Sequence, residues 1–161
     1  MAYVIIGLGN PGGEYEKTRH NAGRMAAELF AKEEGLADFK LNKAAQASVV
    51  TGSVDGEKVT VALPEVYMNV SGKTALALVK SKPAAKKLLV IRDDLDLPLG
   101  VIKMTGYGRG AGGHKGAESI MRGLSPASAK FTNRARGFRR NCPAFSSLMI
   151  SIAAAPSVIC D

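Results

Sequence analysis

The chain is poor in the residues from which cross-links, metal sites and covalent nucleophiles are commonly built. Its 161 residues include two cysteines, two histidines and no tryptophan. Cys142 and Cys160 both fall late, with no metal-ligand spacing and no disulfide framework, which is the usage of a reducing, cytoplasmic compartment. The most apolar late stretch, 148–160, is broken by Pro156 and too short to span a bilayer. No charged stretch precedes the first apolar run, so that run does not read as a signal peptide. Acidic residues are also scarce late, with none between Glu118 and Asp161. The first 100 residues carry 13 basic and 12 acidic side chains and the last 61 carry 9 and 2, so most of the net charge of +8 lies at the end. A polyanion, nucleic acid foremost, is the partner such a bias suits, although a basic protein without one shows the same composition.

The length suits one domain with a real core, and 46% hydrophobic residues suits a globular chain. The apolar run Tyr3-Val4-Ile5-Ile6 leads into Gly7-Leu8-Gly9-Asn10-Pro11-Gly12-Gly13. A strand emptying into a glycine-rich turn is how open α/β sheets place polar side chains at their carboxyl ends. A helix is expected over 21–35, with Asn21 as its cap, Gly35 as its stop, and Ala22, Met25, Ala26, Leu29 and Phe30 as its buried stripe. Two β-prone runs, 45–53 and 58–63, flank Asp55-Gly56 and predict a hairpin. A second helix is expected over 70–80, a polar loop over 80–87, and a fully apolar buried strand over 88–91. Another strand follows at 101–104, then the loop 105–116, half of it glycine, then a third helix at 117–123. Past Leu124 only a short strand in an irregular tail is expected.

Several chemistries compete for these residues. The G-x-G-x-x-G spacing of Gly7, Gly9 and Gly12 matches a dinucleotide fingerprint, but Pro11-Gly12-Gly13 prolongs the loop. No acidic residue ends a second parallel strand at the required distance, so a nicotinamide-dependent oxidoreductase ranks last. Asp93, Asp94 and Asp96 form an acidic loop that could hold a divalent ion or be a solvated junction; EF-hand spacing is absent. His20 sits just before a helix N-terminus, where free N–H groups favour a neutral imidazole able to accept a proton. A hydrolase built here would use His20 as general base on water, oriented by a carboxylate, with amide side chains placing the substrate carbonyl. The alternative is a surface or capping histidine. His114, among Gly112, Gly113 and Gly116, reads as a stabiliser of its loop, while Arg109, Lys115 and Arg122 could meet phosphates.

Taken together, five blocks resemble bacterial-type peptidyl-tRNA hydrolase, in family order and at family-like spacing over about residues 2–124. They are Gly7-Leu8-Gly9-Asn10-Pro11-Gly12; Tyr15 with Thr18-Arg19-His20-Asn21-Ala22-Gly23; Tyr67-Met68-Asn69-Val70-Ser71-Gly72; Asp93-Asp94-Leu95-Asp96-Leu97-Pro98 with Gly100; and Gly112-Gly113-His114. The resemblance implies an α/β fold with a mixed, mostly parallel sheet flanked by helices, in a single domain. It implies hydrolysis of the ester joining a stalled peptide to tRNA, with His20 as catalytic base, Asp93 holding its tautomer and Asn10 recognising the peptidyl form. Asn69 would bind near the scissile bond, Tyr15 and Tyr67 would line the site for the tRNA end, and His114 and Lys115 would lie at the substrate. It implies no cofactor, no metal, no membrane and no obligate protein partner, hence a cytoplasmic monomer. A non-catalytic RNA-binding relative is the alternative.

Two departures stand out. Lys115 replaces the asparagine usual after Gly-Gly-His, and an ammonium cannot accept a hydrogen bond as an amide can. The resemblance also implies a further strand and C-terminal helices past residue 124 that this sequence does not match, so residues 1–124 are expected to form the hydrolase-like unit and 125–161 a divergent basic segment. Within that segment Phe131-Thr132-Asn133-Arg134-Ala135-Arg136-Gly137 echoes a family strand one residue out of step.

Overall fold

The computed structural model describes residues 2–98, 100–106, 110–132 and 148–152. Seven strands form one sheet: β1 (Tyr3–Gly7), β2 (Lys40–Asn42), β3 (Ala47–Val54), β4 (Glu57–Pro64), β5 (Leu88–Asp93), β6 (Ile102–Gly106) and β7 (Leu148–Ile152). Their spatial order is β2-β3-β4-β1-β5-β7-β6. The four central strands run parallel: β1 pairs β4 and β5, and β5 pairs β7. β2 and β3 on one side and β6 on the other are antiparallel. This is the mixed, mostly parallel α/β sheet expected.

The alternation of β1 sets the layers. Val4, Ile6 and Leu8 pack with Ala75, Ile120 and Leu124 on one face. Ile5 faces the other way, against Ala27, Ala31, Val61 and Ile91. Complete burial of Ile6 and Leu8 contributes roughly 1.5–3 kcal/mol each. α1 (Ala22–Glu33) thus covers one face, and α2 (Gly72–Leu78) with α4 (Lys115–Thr132) the other. The predicted hairpin is present, β3 against β4, with Asp55 and Gly56 both at positive φ (49° and 79°), the conformation of a two-residue type I′ turn.

The structure departs from sequence expectation in several places. The buried residues of α1 are Gly23, Ala27 and Ala31, with Ala26 and Phe30 partly buried, whereas Met25 and Leu29 of the expected stripe are 44% and 57% exposed, because the close approach at Gly23 turns the small-residue side of the helix to the sheet. The 80–87 loop contains a short helix, α3 (Lys82–Ala85), and the third helix begins two residues early and runs on to Thr132. Asp93 is the last residue of β5 rather than the second beyond its end, because the strand keeps pairing with β7 through Asp93 and Ile152. β7 supplies the late strand, and the loop expected to begin at Thr105 starts later, since β6 pairs with β7 through Gly106. Of the Phe131–Gly137 echo, Phe131 and Thr132 lie in α4 and the rest lies outside the described residues.

β1 and β4 are parallel neighbours whose connections leave for opposite faces, β1 to α1 and β4 to α2. Strands that part in this way open a crevice at their carboxyl ends, the usual place for a site in such sheets. Asn10, Tyr67–Asn69 and Asp93 all lie there.

Candidate active site

Asp93 is the centre of the constellation. It is 3% exposed, and each of its oxygens meets a histidine. His20 Nδ1 lies 3.0 Å from Oδ2, and His114 Nε2 lies 2.8 Å from Oδ1. Burial pushes the Asp93 carboxyl up, but its interactions with His114 and His20, the His114 hydrogen bond foremost, outweigh it, so its pKa is lowered. The buried group is therefore a carboxylate, which only accepts hydrogen bonds.

Backbone geometry fixes the tautomer of His114. Its Nδ1 accepts the N–H groups of Gly116 and Ala117, each at 3.2 Å, at the start of α4. A nitrogen that accepts two N–H bonds carries no proton, so His114 is neutral and its Nε2–H donates to Asp93. The ring caps the helix in the manner of an N-cap side chain and holds the carboxylate with its other end. The loop-stabilising reading of His114 was thus half the picture, since its reach to Asp93 is not visible in the spacing of the sequence.

The same logic orders His20. Asp93 Oδ2 accepts, so His20 Nδ1 carries a proton, and the neutral form of the ring has its lone pair on Nε2. The His20 side chain is 61% exposed, and Nε2 has no protein partner among the described residues. An imidazole so held can take a proton from water at the crevice mouth.

Asn10 is ordered from both ends. Its Oδ1 accepts the Met68 N–H at 2.8 Å, which leaves Nδ2 as the unengaged half of the amide among the described residues. Its backbone is clasped by Asn21, whose Oδ1 accepts the Asn10 N–H at 2.8 Å and whose Nδ2 donates to the Asn10 carbonyl at 3.0 Å. Asn21 was expected to cap α1, but its side chain makes no capping bond because Asn10 takes both of its polar atoms. Asn69 follows Met68 in a 3-10 turn and is exposed, as is Tyr67 at 61%. Tyr15 is half-buried; the Glu14 carboxylate raises the pKa of its phenol, with burial and then Tyr67 adding to the shift. Lys115 is exposed at the first position of α4, beside His114. Arg122 is exposed and pairs with Glu118 one turn along α4, and Arg109 lies outside the described residues.

The acidic loop is occupied internally. Asp93 serves the two histidines, Asp94 Oδ2 accepts from Arg92 at 3.2 Å, and Asp94 Oδ1 accepts the Asp96 N–H at 3.1 Å. Among the described residues no three His, Cys, Asp or Glu side chains group as metal ligands. The glycines of the first turn also have other duties. A Cβ at Gly23 would land on the Ile91 carbonyl oxygen and one at Gly7 would meet the Ala27 Cβ at 2.5 Å, so both serve the close approach of α1 to β1 and β5.

A family model described as peptidyl-tRNA hydrolase matches residues 4–137. The chain belongs to the peptidyl-tRNA hydrolase family. It is 45% identical over 123 residues to the peptidyl-tRNA hydrolase of Methylacidiphilum infernorum, covering 76% of this chain and 63% of that protein. It is 44% identical over 119 residues to that of Syntrophotalea carbinolica, covering 73% and 61%. The crystal structure of peptidyl-tRNA hydrolase from Acinetobacter baumannii matches with a TM-score of 0.74 at 31% identity, covering 97% of this chain and 70% of that one. The chain thus spans somewhat less than two thirds of the curated relatives' length. Among the described residues no helix is long and apolar enough to cross a membrane.

Proposed function

We propose that this chain hydrolyses the ester between peptide and tRNA in peptidyl-tRNA released from stalled ribosomes. The observation that carries the reading is the exposed His20 held through Nδ1 by the buried Asp93 carboxylate, beside the ordered amide of Asn10. His20 Nε2 takes a proton from a water molecule whose oxygen attacks the ester carbonyl. Asn10 Nδ2 donates to a carbonyl of the bound peptide and so favours the blocked, peptidyl form. When the tetrahedral intermediate collapses, the C–O bond to the terminal ribose breaks and the imidazolium returns the proton to the ribose oxygen. The products are a free peptide acid and tRNA. Asn69 binds near the scissile bond, Tyr15 and Tyr67 line the place of the tRNA end, and His114 completes the wall next to Lys115. Lys115 meets a phosphate as a point charge in place of a side chain that accepts as well as donates.

We further propose a cytoplasmic monomer with no obligate protein partner, in keeping with its two late cysteines without disulfide spacing and with the reach of His20 and His114 to the Asp93 of their own chain. Release of peptide from a model peptidyl-tRNA, with His20→Ala as control, tests the reaction. Salt-dependent tRNA binding without peptide release would favour the RNA-binding alternative, which the basic late segment and Lys115 suit.

A further inference from the structure

Asn21 is 1% exposed, and none of the roles above uses its side chain. Both of its amide atoms go to the backbone of one residue, Asn10, accepting from its N–H at 2.8 Å and donating to its carbonyl at 3.0 Å. This ring of bonds does for Asn10 what a neighbouring strand would do. It extends the order of β1 three residues past Gly7, beyond the bonds from Leu8 N–H to the Ile91 carbonyl and from Arg24 N–H to the Leu8 carbonyl, both 2.9 Å. Helix capping does not account for the residue type, because no side-chain capping bond is made.

We propose that Asn21 is a positioning residue for the reaction, clasping the Asn10 backbone so that the Asn10 amide is held between Met68 and the substrate. The order passes along a short chain: Asn21 holds Asn10, the Asn10 Oδ1 accepts from Met68, and Met68 precedes Asn69. Only a side chain with one donor and one acceptor at this spacing fits. Aspartate presents an acceptor to the Asn10 carbonyl and repels it, and alanine leaves the Asn10 N–H and C=O without partners.

The kinetic arm of the test rests on the proposed hydrolase function; the spectroscopic arm does not. In Asn21→Asp, kcat/KM for peptidyl-tRNA is expected to fall about 10- to 100-fold through misplacement of Asn10. In an Asn10→Ala background the same substitution is expected to cost nothing further, since no side chain remains to be placed. The side-chain amide NMR signals of Asn10 are expected to move to solvent-like positions in Asn21→Asp. Additive losses or unmoved Asn10 signals would each overturn the proposal. Asn21→Ser, which keeps an acceptor for the Asn10 N–H, is read in the same way if Asn21→Asp does not fold. Failure of both to fold would make the role structural and overturn the assignment. If the wild-type chain releases no peptide, the proposed function fails while the Asn10 signals still decide the clasp.

Discussion

His114 joins a helix end to a buried carboxylate: its Nδ1 receives two α4 amides at 3.2 Å and its Nε2 donates to Asp93 Oδ1 at 2.8 Å. One ring thereby fixes the position of α4, the tautomer of His114 and the orientation of Asp93, which in turn orders His20. Removing the ring leaves two helix amides and one carboxylate oxygen without their partner. His114→Ala is therefore expected to lower stability by about 1–3 kcal/mol, measured by chemical denaturation. Hydrolysis is expected to fall as well, since Asp93 loses one of its two tethers. Unchanged stability would show that water replaces the ring without cost.

Asp93→Asn is expected to reduce kcat by on the order of 100-fold or more while KM moves little. The amide can hold His20 by donating to Nδ1, which places the proton on Nε2 and removes the lone pair from the crevice. Steady-state kinetics with the variant checks this split. A rise in KM at constant kcat would assign Asp93 to binding instead.

The lowered pKa of Asp93 has a definite sign for stability. A carboxyl depressed in the folded state contributes stability that is fully present above its unfolded pKa and is lost as pH falls through its folded one. Denaturation midpoints are thus expected to fall below the ordinary aspartate range and to be less sensitive there in Asp93→Asn. An acid dependence of the same size in the variant would place its source elsewhere.

Gly23→Ala tests the packing that brings α1 to the sheet. Its Cβ would occupy the place of the Ile91 carbonyl oxygen and lie 2.8 Å from that of Leu8, both backbone atoms that cannot swing aside. A loss of about 3 kcal/mol or more in denaturation is expected. The same substitution at Gly13, where no atom lies within 4 Å, is expected to change stability by less than about 1 kcal/mol.

The parts of the fold that repeat along the sequence were legible from it. β1, the Asp55-Gly56 hairpin and the span of α1 follow from periodicity and turn chemistry, and the family resemblance pointed to the same sheet; the face that α1 buries did not follow, since the helix approaches the sheet through Gly23, Ala27 and Ala31 and leaves Met25 and Leu29 exposed. Contacts between distant segments were not legible in the same way. Nothing near His114 in sequence signals that it meets Asp93, 21 residues away, or that Asn21 prefers the Asn10 backbone to a helix cap. β7 was foreseen only as a late strand, because its place between β5 and β6 depends on pairing rather than on composition. The short α3 was missed because Pro83 within a polar stretch reads as a loop, although proline is well tolerated in the first turn of a helix.

In the proposed mechanism His20, held by Asp93, is the base that activates water. The direct measurement is peptide release from a model peptidyl-tRNA by the wild-type chain and by His20→Ala under identical conditions. Turnover by the wild type is expected, with a loss of roughly 100- to 10,000-fold in kcat for the variant and substrate binding retained. Equal turnover by the two proteins would contradict it.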